Sequence, residues 1–127
     1  MGEKLLAVYR IKKGDAKSAG IAVCKTAKKL LELEKLGFLP FPVAIGINYG
    51  NVINGFLGVG TKRDFTVIGD AVNVTARIES LSEKLEKDRC LISEGIIKLV
   101  GSDFSSVFYG EVELKGKSQP MKVYQIT

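Results

Sequence analysis

The hydrophobic pattern changes its period within residues 43–85, and this change limits the possible fold more than any other feature of the chain. Residues 43–47 alternate apolar with small side chains, and a second apolar run at 52–57 follows a Tyr-Gly-Asn turn signal, so these two segments predict a β-hairpin. From residue 70 the spacing becomes helical, which predicts a helix with one apolar stripe: Val74, Ile78, Leu81 and Leu85.

The same patterns predict the remaining elements. We expect a strand at 5–9, a helix at 16–36 that ends at Gly37, a strand at 90–92, a short helix after Ser93, and two final strands at 107–114 and 123–126. The apolar stripe predicted for the first helix is Ala19, Val23, Ala27, Leu30 and Leu33. The order β-α-β-β-α-β-α-β-β predicts one α+β domain over residues 1–127, with an antiparallel-rich sheet and helices packed on one face.

Composition excludes several classes of protein. The chain has 127 residues, of which 46% are hydrophobic, with 14 glycines and 3 prolines, which is typical of one ordered domain. No apolar run is long enough to span a membrane, and residues 1–4 do not match a signal peptide, so we expect a cytoplasmic protein. The net charge of +5 favours anionic partners, although the lysines are dispersed along the chain.

The residue types also limit the chemistry. The chain has no histidine, which excludes imidazole bases and histidine-ligated zinc. Cys24 and Cys90 match no metal-binding or redox spacing, so we expect two buried, reduced thiols. Any chemistry must therefore depend on carboxylates, cations, amides, hydroxyls and bound metal.

Two common nucleotide motifs fail in residues 55–63. The segment ending at Lys62 has Thr61 and Lys62 in the reverse of the order that a P-loop needs. Arg63 stands where the dinucleotide fingerprint requires its third glycine. These glycines are better explained as loop residues.

Residues 43–79 carry the most specific pattern, reading V-A-I-G-I-N-Y-G-N-V-I-N-G-F-L-G and then R-D-F-T-V-I-G-D-A-V-N-V-T-A-R-I-E. This pattern resembles the signature of class III adenylate and guanylate cyclases, which pairs a glycine-rich hairpin with a strand and helix. The matched positions are Gly46, Gly50, Gly55, Gly58, Gly69, Val72, Asn73, Arg77 and Glu79.

The resemblance extends in both directions. Residues 114–117 and 123–124 are similar to a V-K-G-K segment and the last strand of the family, and residues 2–9 to its G-D-x-x-x-A-x-F strand. It implies a ferredoxin-like, palm-like antiparallel sheet. The family's first strand and helices would precede Met1, which makes this chain the C-terminal portion of such a domain.

The resemblance also implies roles for individual residues in converting ATP to cyclic AMP. Asn73 would position the ribose, Arg77 would stabilise charge on the α-phosphate, and Lys115 would hold the β- and γ-phosphates. Thr66 falls at the base-selecting position and suggests adenine, so ATP is the expected substrate and GTP less so. Each residue alone could equally be an ordinary helix, turn or strand residue; their joint spacing favours function.

The expected metal site departs from the family pattern. Two Mg²⁺ or Mn²⁺ ions are expected in the family, held by two aspartates, but Glu3 stands at one of these positions and the other would precede Met1. The extra methylene of glutamate shifts the carboxylate, and Mg²⁺ demands near-ideal geometry. The purine-binding lysine would also precede Met1, and Asn48 replaces a common family histidine. We therefore expect little or no cyclase activity from this chain alone.

Three hypotheses follow from the sequence. The first is an adenylate cyclase domain with its site between two subunits, as a homodimer or with a partner cyclase domain. The second is a non-catalytic, cyclase-like module for dimerisation or regulation. The third is a basic α+β domain that binds nucleic acid; it predicts exposed aromatic clusters on strands, which the sequence does not indicate, so we expect no nucleic-acid partner.

Overall fold

In the computed structural model of the chain, the described residues are 5–7, 9, 11, 14–50, 53–57, 64–68, 70–114, 116 and 118–127, with only the backbone of 53–57 and 64–68. They form three helices: α1 (Ala16–Lys35), α2 (Asp70–Ser82) and α3 (Glu94–Val100), the last followed by a 3₁₀ turn at Gly101–Asp103. They also form six strands: β1 (Ile45–Ile47), β2 (Ile53–Leu57), β3 (Asp64–Ile68), β4 (Cys90–Ser93), β5 (Ser106–Val112) and β6 (Met121–Ile126).

Four strands form a mixed sheet in the order β1-β4-β6-β5, and β2 and β3 form a separate antiparallel ribbon. The β1–β4 pair is parallel, with Ile45 opposite Cys90, whereas β4–β6 and β5–β6 are antiparallel. The α+β class predicted from the sequence is therefore confirmed.

The predicted hairpin between residues 43–47 and 52–57 is wrong in its pairing. β1 pairs with β4, and β2 pairs instead with β3, where Ile53 lies opposite Ile68. All four residues of β4 are buried, and the parallel partner β1 helps to enclose them. A turn signal does not identify which strand the chain pairs with next.

The helices pack on both faces of the sheet, not on one face as predicted. Cys90 and Ile92 of β4 belong to a core cluster with α1 and α3, whereas Leu91 belongs to a second cluster with Val74 and Ile78 of α2. Successive residues of a strand point to opposite faces, so β4 contributes to both cores. A strand that is buried at every position, as β4 is, is typical of this arrangement.

The predicted apolar stripe of α1 is displaced from the observed one. The buried residues of α1 are Gly20, Cys24, Ala27 and Leu31, of which only Ala27 was predicted. Gly20 faces α3 at a close approach of the two helices: a Cβ on Gly20 would lie 3.2 Å from Cγ1 of Val100. A prediction from hydrophobic pattern assigns large apolar side chains to the buried face, whereas the close packing of two helices here requires a small residue.

The predicted end of α1 at Gly37 is confirmed. Gly37 has φ +80°, and the backbone N–H groups of Gly37 and Phe38 donate to the carbonyls of Glu34 and Leu33. This is the Schellman arrangement, in which a left-handed residue reverses the chain and satisfies the last carbonyls of the helix.

The strand predicted at residues 5–9 is not present in its described part. Residues 5–7 and 9 lie outside any strand, and Leu5 is 94% exposed. Apolar alternation produces a strand only where a partner strand accepts its backbone hydrogen bonds, and these residues pair with no described strand. Within the described ranges, no helix has the length and apolar character needed to cross a membrane.

Both cysteines are fully buried free thiols in the α1–α3 side of the core, as predicted. Burial raises the pKa of the Cys24 thiol to about 11; burial and the nearby Cys24 raise the pKa of Cys90 to about 12. Because a thiolate forms more readily in the unfolded chain, the stabilising effect of these neutral thiols is present below about pH 8.5 and decreases as the pH rises above it.

We therefore expect both thiols to resist alkylation by iodoacetamide at about pH 8, at least about 100-fold more slowly than in guanidinium chloride, since the thiolate is the reactive species. Intact-mass spectrometry over time measures this rate. Rapid modification of Cys90 in the folded chain would contradict the burial described above.

Candidate active site

The backbones of α2 and β1 are in direct contact, and this contact positions the candidate site. A Cβ atom on Gly46 would lie 2.4 Å from the backbone nitrogen of Glu79 and 2.8 Å from its Cα. A Cβ on Gly50 would lie 2.7 Å from Cβ of Ala71. Two glycines of the sequence motif are thus explained by close approach, because any side chain would separate the strand segment from the helix.

The first turn of α2 is also held by hydrogen bonds to one carbonyl. The Asn48 side-chain amide donates to the main-chain oxygen of Ala71 over 3.2 Å, and the Thr75 hydroxyl donates to the same oxygen over 2.6 Å. In the sequence, Asn48 stood out only as a departure from a family pattern, and this contact was not predicted. The only indication in the sequence was that Asn48 directly follows the segment that forms β1.

Asn73 and Arg77 lie on one exposed face of α2, as their spacing of four residues predicts. Their Cα atoms are about 6 Å apart along a helix that rises about 1.5 Å per residue. The neighbouring residues Val74 and Ile78 are buried against the sheet, which fixes the orientation of this face. An amide and a guanidinium are therefore displayed together at the surface.

Arg77 is directed towards the end of β5. Its Nη1 donates a hydrogen bond to the main-chain oxygen of Glu113. A groove of about 410 Å³ continues from Arg77 along α2, with the remaining lining residues Ala76, Ser80, Leu81, Lys84, Glu111 and Val112. The groove carries two cations and one carboxylate, so its rim has an excess of positive charge.

The other predicted site residues are less completely described. Thr66 lies in β3 opposite Gly55, and its side chain is outside the described part of the chain. Glu3 and Lys115 are outside the described residues altogether. Among the residues that are described, no three His, Cys, Asp or Glu side chains converge to form a metal-ion site.

Comparison with known proteins adds an independent observation. Residues 10–127 match the family model described as "Adenylate and Guanylate cyclase catalytic domain". The chain is 33% identical over 102 residues to an adenylate cyclase of Anabaena cylindrica, an alignment that covers 78% of this chain and 20% of the relative.

Two solved structures extend the comparison to the fold. A bacterial light-regulated adenylyl cyclase superimposes with a TM-score of 0.69 at 29% identity, covering 87% of this chain and 33% of that one. The adenylyl cyclase CyaB from P. aeruginosa superimposes with a TM-score of 0.58 at 32% identity, covering 89% and 59%. The chain spans only part of each relative. The close contacts at two glycines of the sequence motif, and the exposed helix face that carries its Asn and Arg, are consistent with these matches. The chain belongs to the adenylate and guanylate cyclase catalytic-domain family.

Proposed function

We propose that this chain acts in an adenylate cyclase and contributes the ribose- and α-phosphate-binding half of a site that forms between two subunits. The observation that carries this proposal is the joint exposure of Asn73 and Arg77 on one face of α2. An exposed amide and guanidinium on one helix face suit a site completed by a second surface. Family membership supports the reaction class, and relatives named as adenylate cyclases favour ATP.

The reaction is an in-line displacement at phosphorus. The 3′-oxygen of the ribose forms a new bond to the α-phosphorus and loses its proton, while the bond from that phosphorus to the bridging oxygen breaks and pyrophosphate leaves. Asn73 would hold the ribose so that the 3′-oxygen faces the phosphorus. Arg77 would stabilise the charge that develops on the phosphoryl oxygens, which is the main requirement of phosphoryl transfer.

A divalent metal ion, typical of the family, would activate the 3′-hydroxyl and neutralise the leaving pyrophosphate when bound. The described part of this chain contains no cluster of three metal ligands, so it does not itself fit such an ion. Glu3 remains the only candidate that we propose from this chain. We assign the other metal ligands and the purine-binding lysine to a partner domain or to other parts of a longer protein.

Complementation tests the proposed division of the site. We would mix this chain with a family cyclase domain that keeps its metal-binding aspartates but whose Asn and Arg equivalents are changed to alanine. The mixture should form cyclic AMP at least about tenfold faster than either protein alone, and faster from ATP than from GTP, since each protein alone lacks groups that stabilise the transition state.

The same experiment separates the competing hypotheses. Size-exclusion chromatography reports whether the two proteins associate. A stable complex without cyclic AMP would contradict the catalytic proposal and favour a regulatory module. Strong Mg²⁺- or Mn²⁺-dependent activity from this chain alone would contradict the assignment of the metal ligands to another protein or segment.

A further inference from the structure

Three large apolar side chains project from the surface where α1 ends and the chain turns towards β1. Leu36, Phe38 and Phe41 are 61%, 72% and 59% exposed, and they lie within six consecutive residues. These three residues are named the apolar tip below. An exposed apolar cluster of this kind typically marks a contact with a membrane or with another protein.

The segment that carries the apolar tip is attached to α1 at both of its ends. At its start, the backbone N–H of Phe38 donates to the carbonyl of Leu33 in the Schellman arrangement described above. At its far end, the backbone N–H of Val43 donates to a carboxylate oxygen of Glu34 over 2.7 Å. The aromatic side chains therefore project from a backbone that is held against the last turn of the helix.

Two lysines lie on the same stripe of α1 as the start of the apolar tip. Lys25, Lys29 and Leu36 are exposed and are separated by four and seven residues, so they share one face of the helix. This face is opposite the one that buries Cys24 and Leu31. At a rise of about 1.5 Å per residue, the two lysines lie about 10 and 16 Å from Leu36 along the helix axis.

The charge of α1 favours an anionic partner at this face. Lysines outnumber glutamates on the helix by five to two. Three of the lysines contact other parts of the chain: Lys17 with Asp103, Lys28 with the carbonyl of Thr127, and Lys35 with Asp88. Lys25 and Lys29 are the two that share the stripe with the apolar tip, and the carboxylate of Glu34 is bound to Val43, which leaves Glu32 as the opposing exposed charge of the helix.

We infer that the apolar tip, with Lys25 and Lys29, forms a surface that binds peripherally to a bilayer containing anionic phospholipids. Apolar side chains of peripheral proteins enter a bilayer by about 5–10 Å, and at that depth the two lysines would lie at the level of the anionic headgroups. A projecting tip favours a lipid surface over a protein partner, because lipids rearrange around it and no matching pocket is required.

This surface lies away from the candidate active site. The apolar tip precedes β1, whereas Gly50, which contacts Ala71 near the start of α2, follows β1. Asn73 therefore lies towards the opposite end of the strand from Phe41. Binding at the apolar tip would leave the exposed face of α2 accessible, and the inference does not depend on the proposed function.

Vesicle co-sedimentation of the whole chain tests the inference. We expect at least about tenfold tighter binding to vesicles of equimolar phosphatidylcholine and phosphatidylserine than to vesicles of phosphatidylcholine alone, and weaker binding as the ionic strength rises. Equal binding to the two kinds of vesicle, or no binding to the anionic vesicles, would overturn the inference. Release of the chain by inorganic phosphate at constant ionic strength would indicate a site for free anions and would also overturn it.

Two pairs of variants locate the binding surface. Phe38→Ser with Phe41→Ser should weaken binding to the anionic vesicles at least about tenfold, since less apolar surface enters the bilayer. The control replaces two exposed apolar residues of β5, Val107→Ser with Tyr109→Ser, and should leave the affinity unchanged. Thermal unfolding checks that each variant retains the fold.

The charge pair is Lys25→Gln with Lys29→Gln, which should weaken binding about tenfold. Its control, Lys98→Gln with Lys122→Gln, removes the same net charge from exposed positions on α3 and β6 and should have less than about a threefold effect. Equal losses in a pair and its control would overturn the assignment to this face.

A tryptophan reporter tests insertion directly. The chain has no tryptophan, so Phe38→Trp introduces a single fluorophore at the apolar tip. Its emission should shift to shorter wavelength on anionic vesicles and should be quenched by phospholipids brominated on their acyl chains. A bound chain with neither change would overturn insertion of the apolar tip. If size-exclusion chromatography showed that Phe38→Ser with Phe41→Ser separates a dimer of the chain while vesicle binding is retained, the tip would be a protein contact and the inference would be wrong.

Discussion

Replacing Gly46 with alanine is expected to lower the free energy of unfolding by about 3 kcal/mol. The added Cβ would lie 2.4 Å and 2.8 Å from backbone atoms of Glu79, and backbone atoms cannot rotate away as a side chain can. The variant must therefore separate β1 from α2 and expose part of the core that contains Ile78.

Thermal and urea unfolding measure this effect, which should correspond to a decrease of about 10 °C in Tm for a domain of this size. Gly95→Ala is the matched control, since its new methyl group would lie 3.7 Å from the nearest atom and it occupies α3, where alanine is favourable. If Gly46→Ala were as stable as Gly95→Ala, the described contact between β1 and α2 would be wrong.

Replacing Arg77 with alanine is expected to lower cyclic AMP formation in the complemented assembly by about 100-fold or more, since that is the typical cost of losing one donor directed at transition-state charge. The side chain is exposed, so its loss should change the free energy of unfolding by less than about 1 kcal/mol. Steady-state rates over a range of ATP concentrations separate a loss of turnover from a loss of binding.

Lys84→Ala provides the control for charge, because Lys84 lines the same groove just beyond the end of α2 and has no assigned role in the reaction. Arg77→Lys tests the requirement for a planar guanidinium and should remain well below the unmodified rate, since an ammonium cannot reproduce bidentate binding of a phosphate. If the Arg77→Ala assembly turned over ATP as fast as the Lys84→Ala assembly, the proposed role of Arg77 in the mechanism would be wrong.

Local patterns predicted most of the elements correctly. The helical spacing of Val74 and Ile78 identified α2 and its buried face, and Gly37 marked the end of α1. The position of Asn73 and Arg77 on a single exposed face followed from their spacing on the same helix. In each case, the information lay within one or two helical turns of the residue concerned.

Features that depend on distant contacts could not be predicted in this way. The parallel pairing of β1 with β4 joins residues 45 positions apart, such as Ile45 and Cys90. The buried face of α1 is set by the close approach of α3 at Gly20, which a hydrophobic pattern does not detect. Every residue of β4 is buried because helices cover both faces of the sheet at this central strand. The positions of those helices depend on distant contacts.

The contacts of the candidate site show the same limit. Asn48 and Arg77 both donate to main-chain carbonyls, those of Ala71 and Glu113. Every residue has such a carbonyl, so the identity of the acceptor leaves no trace in the sequence. The sequence indicates the side chains that act as donors, whereas their acceptors are determined by the three-dimensional fold.

The contact of Gly46 with the α2 backbone has a mechanical consequence. Because no side chain lies between the strand and the helix at this point, there is no rotamer that can absorb a relative displacement of the two. A force applied to β1 by a neighbouring domain would therefore carry Asn73 and Arg77 with it as one rigid body. Fine adjustment of the site around a nucleotide would then come from the connection after β5, in which residues 116 and 118–120 are exposed.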